Sequence, residues 1–288
     1  MDSHSFLVPA TGKIRLKKFD PAFTGGYKDR SGAEKKLQAD VARMAALADV
    51  LHAQDRYALL LIFQGMDTAG KDGAIKHVTT GLNPQGVQVY SFGIPSAEER
   101  NHDFLWRHWK VLPERGRIGI FNRSYYEEVL VLRVHPELLD QEKIPPKAKT
   151  KNLWKERFKD INHLERYLVN NGILVLKFFL HLSKEEQKRR LLQRIDSPDK
   201  NWKYSPNDVT ERRFWPAYMQ AYEDMLNHTS TDWAPWYIVP ADHKWFTRTV
   251  IADILITKLR SLDLAYPKLD PEKKAGLKKA RRMLENEK

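Results

Sequence analysis

Residues 57–72 read YALLLIFQGMDTAGKD, and this stretch decides the fold. Tyr57 to Phe63 is an unbroken apolar run, the pattern of a strand buried on both faces in a parallel sheet covered by helices. The next residues fit G-x-x-x-x-G-K. Gly65, Gly70 and Lys71 stand at the required spacing, behind a predicted strand and ahead of a predicted helix over Ala74 to Thr80. The chemistry of that pattern is anion binding. Glycines let backbone N–H groups curl round a phosphate, the helix N-terminus adds partial positive charge, and a lysine adds a point charge. Gly65, Ala69, Gly70 and Lys71 are therefore expected to hold phosphate. The competing reading is an ordinary glycine-containing turn, which the strand before and the helix after disfavour.

Outward from this loop the chain alternates. Strands are predicted at Val87 to Phe92, Ile118 to Phe121, Ile173 to Leu182 and Trp236 to Val239. Helices are predicted at Ala33 to Gln54, Ala97 to Lys110, Tyr125 to Arg133, Trp154 to Asn170 and Trp245 to Leu262. Ser183 and Glu186 have capping-box spacing and are expected to satisfy each other's free backbone donors. Alternation of this kind means βαβ units, so the expected fold is α/β, a central parallel five-stranded sheet flanked by helices. The organisation expected is an N-terminal arm and helix over 1–56, one domain over 57–265, and a basic C-terminal tail over 266–288. The tail cluster Lys273, Lys274, Lys278, Lys279, Arg281 and Arg282 reads as a solvated helix face.

Composition narrows the chemistry. The 288 residues, 42% hydrophobic and 30% charged, are enough for a real core and too apolar for general disorder. A net charge of +12 favours a polyanionic partner: nucleic acid, anionic lipid or a phosphorylated substrate. The absence of cysteine removes disulfides, thiolate zinc sites, iron–sulfur clusters and cysteine nucleophiles, and fits a cytoplasmic protein. Met1 to Leu16 lacks the apolar stretch of a signal peptide. The longest apolar run, Ile173 to Leu182, is short of the roughly twenty residues a membrane span needs and contains Lys177 and His181.

Within the loop, Asp72 stands where such loops usually carry a Mg²⁺-binding Ser or Thr. Asp67 offers a carboxylate instead, as a metal ligand directly or through water, as a base for the acceptor, or as a turn-forming Asp bonded to its own backbone. Just past the third strand come Asn122, Arg123, Ser124, Glu127 and Glu128, at the sheet edge where ligands of open α/β sheets bind. Arg123 is placed to neutralise a transferring phosphoryl group. Asn122 and Ser124 read equally as helix caps. Arg133 is expected to face the cleft. Arg107 is either a further phosphate contact or an arginine stacked on tryptophan. Residues 188–215 look like a cationic lid that closes and excludes water, with Arg190, Arg194, Lys200 and Lys203 as its phosphate-binding cations. Lys76 completes the set of expected phosphate contacts. Lys188 and Arg189 read as solvated.

GMDTAGKDG, FNRSYYEEVLVLRVHP, KFFLHLSKEEQKRR, DKNWKYSPND and APWYIVPADHKWFTR follow one another along the chain. In that order they resemble the type-2 polyphosphate kinases, over about Ala33 to Leu264. The resemblance implies a phosphate-loop kinase fold like that of thymidylate kinase, with a helical lid. It implies phosphate transfer between inorganic polyphosphate and AMP, ADP or ATP, possibly guanine nucleotides too. Mg²⁺ is the implied cofactor, with Mn²⁺ as substitute, and a homo-oligomer (dimer or tetramer) is the implied assembly. It implies no nucleic-acid or membrane partner. Asp67 matches the family's loop aspartate, implicated in metal binding and catalysis. Many members have FDRS where this chain has FNRS. The Asn122 form is similar to the subgroup that phosphorylates AMP as well as ADP, and shifts metal binding to Asp67 and Glu127. The rival within the same fold is an ATP-dependent nucleotide or nucleoside kinase; the rival outside it is a nucleic-acid-binding module.

Overall fold

In a computed structural model, described here over residues 3–27 and 29–287, the elements run in chain order as follows. They are α1 (Arg30–Gln54), β1 (Ala58–Gln64), α2 (Lys71–Val78), β2 (Val87–Ser91), α3 (Trp106–Trp109), β3 (Ile118–Asn122), α4 (Glu127–Val134) and α5 (Leu153–Asn170). Then come β4 (Ile173–His181), α6 (Lys184–Asp196), α7 (Pro206–Thr210), α8 (Trp215–Thr229), β5 (Trp236–Pro240), α9 (Lys244–Arg260) and α10 (Pro271–Glu285). The sheet order is β2-β3-β1-β4-β5, and every pairing is parallel. The expected five-stranded parallel sheet is the one found.

β1 is the middle strand and is buried along its whole length. Its alternation splits the core in two. Leu59, Leu61 and Phe63 pack with Val78, Val250, Ile251 and Leu255 on the α2 and α9 side. Leu60 and Ile62 pack with Phe121, Phe158, Ile161 and Leu226 on the α4, α5 and α8 side. Full burial of such side chains contributes roughly 1.5–3 kcal/mol each, which is why the hydrophobic run specifies the centre of the sheet. The N-terminal helix shares this core: Met44 and Leu51 of α1 lie in the same cluster as Val250 and Leu255 of α9.

The N-terminal arm is strapped to the sheet edge. The Val8 N–H donates to the Trp236 carbonyl at 2.9 Å, and Leu7 bridges Tyr237 antiparallel. Farther on, the Leu16 N–H donates to Glu223 and the Ile14 N–H to Asn227, both on α8. The arm thus covers the β5 edge, whose backbone groups would otherwise template pairing with another chain.

Two local expectations are corrected. The predicted helix Ala97 to Lys110 is a short 3₁₀ turn, Glu99–Asn101, followed only by the single turn α3. Ser96 and Glu99 cap each other reciprocally, and the Asp103 carboxylate accepts from the Leu105 N–H, so side chains satisfy the backbone locally and interrupt the helix. At Ser183 the capping box is half formed. Its hydroxyl accepts from the Glu186 N–H, but its own N–H donates to Asp242, and Glu186 turns to Arg189 and Arg190. The basic tail is helical, as expected, and α10 has no buried residue.

Candidate active site

The phosphate loop bridges the C-terminal end of β1 and the start of α2. Four residues in it or facing it have positive φ: Gly65 (154°), Gly70 (101°), Thr68 (65°) and, across from them, Arg123 (64°). For Thr68 and Arg123 that conformation is strained, and such strain is held only where the surroundings over-determine it. Gly65 is fixed by contact: a Cβ there would lie 2.8 Å from the Leu180 carbonyl of β4. The first N–H groups of α2 have no intrahelical acceptor and point at the loop's concavity.

Lys71 folds back into this concavity, donating to the Gly65 carbonyl at 2.7 Å and the Met66 carbonyl at 3.3 Å. Burial lowers its pKa and Arg123 adds to the fall, against Asp67, Glu127 and Asp72. Arg123 follows β3, which pairs with β1, and its guanidinium donates to Asp67 at 2.7 Å. Asn122, the last residue of β3, donates to the Asp72 carboxylate at 2.7 Å and to Ser91 at 3.3 Å. An aspartate at 122 would put two carboxylates in contact; asparagine instead orients Asp72. Glu127 lies next to Arg123 and Lys71, where burial raises its pKa while those cations draw it back.

These groups open on a cavity of about 780 Å³. Asp67, Ala69, Gly70, Lys71, Asn122, Arg123, Arg190, Arg194, Lys200 and Lys203 all line it, so the structure brings most of the sequence candidates together. Gly65, Lys76, Arg107, Glu127 and Arg133 do not line it. Arg133, expected to face the cleft, pairs with Asp224 of α8 instead. Arg107 donates to the Gly93 carbonyl at 2.9 Å and stacks on Phe92 rather than on a tryptophan. It therefore supports Phe92 and Gly93, which do line the cavity. His108, behind Phe92, is pushed down to about 3 by burial and Arg107, so it stays neutral at working pH.

Arg190 lines the cavity but has no donor to spare. Its Nε donates to Glu186, one terminal nitrogen to the Thr68 and Ala69 carbonyls, and the other to the Ala241 and Asp242 carbonyls. A guanidinium carries five N–H donors, so this one is fully engaged in tying the loop to α6 and to the end of β5. Arg194 is engaged through one terminal nitrogen only, which donates to Asp208 at 2.7 Å and to the Lys203 carbonyl at 3.0 Å and ties α6 to the lid.

Behind Arg123 lies a fully buried polar network. Lys177, in mid-β4, donates to Glu165, to the Tyr126 hydroxyl at 3.0 Å and to the Thr229 carbonyl at 2.7 Å. Tyr125 and Tyr126 both donate to Glu165, at 2.9 and 2.8 Å. All three Lys177 donors are used, and the two tyrosines that follow Arg123 are locked in place.

A family model described as Polyphosphate kinase 2 (PPK2) matches residues 27–266. The chain belongs to this family. The polyphosphate kinase 2 match covers the sheet, the loop and the lid in one span. Among its relatives is the ADP-polyphosphate phosphotransferase of Rhodopseudomonas palustris, 47% identical over 97% of each chain. The AMP/ADP-polyphosphate phosphotransferase of Meiothermus ruber is 40% identical over 91% of this chain and 94% of its own. A crystal structure of Polyphosphate Kinase 2 from Arthrobacter aurescens superposes with a TM-score of 0.85 at 39% identity, covering 94% of both chains.

Asp72, Asp208, Trp202, Lys244 and Arg248 also line the cavity, and nothing in the sequence pattern alone gave any of them a role in binding phosphate. For Lys244 and Arg248 a signal existed: they follow directly on β5, at the sheet edge where α/β folds bind ligands.

Proposed function

We propose that the chain is a polyphosphate:nucleotide phosphotransferase that makes ADP from AMP and ATP from ADP, reversibly. The observation that carries this reading is the Lys71–Arg123–Asp67 group at the mouth of a cavity lined by further cations. The names of the two relatives above, each a polyphosphate-dependent transferase, support it over an ATP-dependent kinase of the same fold.

The terminal phosphorus of polyphosphate lies over the loop N–H groups. An oxygen of the nucleotide's terminal phosphate attacks it, a new P–O bond forms, and the bridging P–O bond to the next unit breaks. The departing chain, one unit shorter, keeps the electron pair. Lys71 and Arg123 face the charge that builds on the transferring group. Phosphate oxygen is already a nucleophile at neutral pH, so no strong base is needed. The loop N–H groups position the donor, and closure of residues 188–215 excludes water as a competing acceptor.

Asp67 and Asp72 are hard oxygen donors on the cavity wall, and no cluster of three or more metal-ligating side chains exists among the described residues. That donor set fits Mg²⁺, which takes one or two carboxylates and completes its shell with phosphate and water. Asp67 and Asp72 would hold it, with Glu127 behind them. Bound there, Mg²⁺ would offset the repulsion between two phosphorylated reactants. Of the two aromatic side chains lining the cavity, Phe92 is packed on Phe121 and His108 while Trp202 is 77% exposed. The nucleobase therefore stacks on Trp202 in this reading. The adenylate substrates assign the enzyme to the cytoplasm, and a homo-oligomer is its working form.

Purified protein with Mg²⁺, polyphosphate and AMP, free of ATP, is expected to yield ADP and then ATP. Product from ATP plus AMP, but none from polyphosphate plus AMP or ADP, would overturn the reading in favour of an ATP-dependent kinase.

A further inference from the structure

A loop that turns N–H groups inward to meet phosphate turns carbonyls outward, and buried carbonyls need donors. One face of α6 supplies them. Gln187 and Arg190, three residues apart on that helix, reach three successive carbonyls of the loop. Arg190 takes those of Thr68 and Ala69, and the Gln187 amide donates to that of Asp67 at 3.1 Å. The Asp67 carbonyl belongs to the peptide that leads into Thr68, whose left-handed φ of 65° is strained. That peptide is trans, so its N–H points away from α6 while its carbonyl is held there. A flip of this one peptide would relax Thr68 and turn the N–H round, and the Gln187 bond opposes the flip.

Gln187 is itself held from the lid. It is buried, and its Oε1 accepts from the Arg212 guanidinium at 2.7 Å. A carbonyl only accepts and a guanidinium only donates, so the amide has one orientation between them. The same Arg212 nitrogen donates to the Lys184 carbonyl at 3.1 Å, at the start of α6. Arg212 stands in the 3₁₀ turn Glu211–Phe214, where the lid rejoins the core ahead of α8. Its neighbour Glu211 is anchored separately, accepting from the Tyr218 hydroxyl at 2.8 Å and lying 2.9 Å from His135, which follows α4. Two adjacent residues thus seat the root of the lid, and one of them leads through a single buried side chain to the backbone of Asp67.

We propose that Gln187 and Arg212 are positioning residues for phosphoryl transfer: with the root of the lid seated, Arg212 orients the Gln187 amide, and the amide fixes the Asp67–Thr68 peptide. Neither side chain lines the cavity. Asp67 pairs with Arg123 at 2.7 Å, so a change at Arg212 passes through Gln187 to the two charged groups at the mouth of the cavity. This rests on the donor assignment above and adds to it that the loop keeps its working shape only while the root of the lid is docked.

The test is a double-mutant cycle on kcat, with polyphosphate and ADP as substrates. Gln187→Met, which keeps the volume and loses both bonds, is expected to lower kcat about five- to tenfold while changing either KM by less than about twofold. Gln187→Glu still accepts from Arg212 but cannot donate to the Asp67 carbonyl, so it should be no faster than Gln187→Met. Arg212→Met should also lower kcat, and Arg212→Lys, which keeps a charged donor, should recover part of that loss. The double variant Arg212→Met/Gln187→Met should be no slower than Gln187→Met alone, because Arg212 acts through the amide. If Gln187→Met does not fold, Gln187→Glu takes its place in the cycle with the same expectation. Additive losses in the cycle, or wild-type kcat in folded Arg212→Met, would overturn the relay while leaving the donor assignment standing. Wild-type protein that used ATP but not polyphosphate would overturn the donor assignment, and the cycle run on ATP would still decide the relay.

Discussion

Replacing Lys71 by Ala is expected to abolish phosphoryl transfer, with a fall in kcat of at least about 10³-fold, while the protein stays folded. The magnitude follows from where the ammonium sits. It is the loop's own point charge, buried beside Arg123 and held in the concavity by the Gly65 and Met66 carbonyls until phosphate oxygens take their place. Charge placed in a water-poor site in advance of the reaction acts more strongly on a developing phosphoryl charge than the same ion in water. Stability should not follow activity down. Burial and Arg123 both oppose the Lys71 charge, so its removal relieves an electrostatic cost, and water can reach the two carbonyls from the cavity. Turnover in the ATP-free assay, read beside a thermal melt, checks this. Near-wild-type turnover would end the role assigned to Lys71, and a collapsed melt would end the separation of site from scaffold.

The second large effect is on the scaffold. Lys177→Met is expected to destabilise the protein by about 3–5 kcal/mol, because it strands Glu165 in the core with only two hydroxyls for company. The sign with pH is defined. Burial raises the folded pKa of Glu165. With Lys177 gone that rise is opposed only by the two tyrosine hydroxyls, and the folded variant holds a proton that the unfolded chain releases above its ordinary carboxyl pKa. Its deficit is therefore greatest near neutrality and shrinks as pH falls toward about 4.5. The double variant Lys177→Met/Glu165→Leu should recover most of the loss. Urea unfolding at pH 5 and pH 7.5 measures all of this. A single variant as stable as wild type would mean the pair contributes nothing. Because Tyr125 and Tyr126 hang from the same carboxylate, kcat should fall in Lys177→Met even where the protein is folded.

Much of the fold was legible because its signals are local. Apolar runs give the buried strands β1, β3, β4 and β5, and the glycine-lysine spacing gives the loop between β1 and α2. What escaped depends on contacts distant in sequence. Nothing local distinguishes an arginine saturated by carbonyls, as Arg190 is, from one free to meet phosphate. Arg133 has the right spacing for the cleft, but α8 brings Asp224 to it from far along the chain. α8 itself, Trp215–Thr229, was not anticipated, although Pro216 sits in its first turn, where proline starts helices. Asn122 illustrates both sides. Its position at the strand end was readable, but its partner Asp72 became visible only with the loop folded against β3.

The central claim is that this loop holds the donating end of a polyphosphate chain. A crystal structure with bound short-chain polyphosphate and a divalent cation tests it directly. The account predicts terminal phosphate oxygens within hydrogen-bond reach of the Lys71 Nζ and the first N–H groups of α2, with Lys71 released from the Gly65 carbonyl. A chain bound elsewhere, with Lys71 still folded onto that carbonyl, would contradict it.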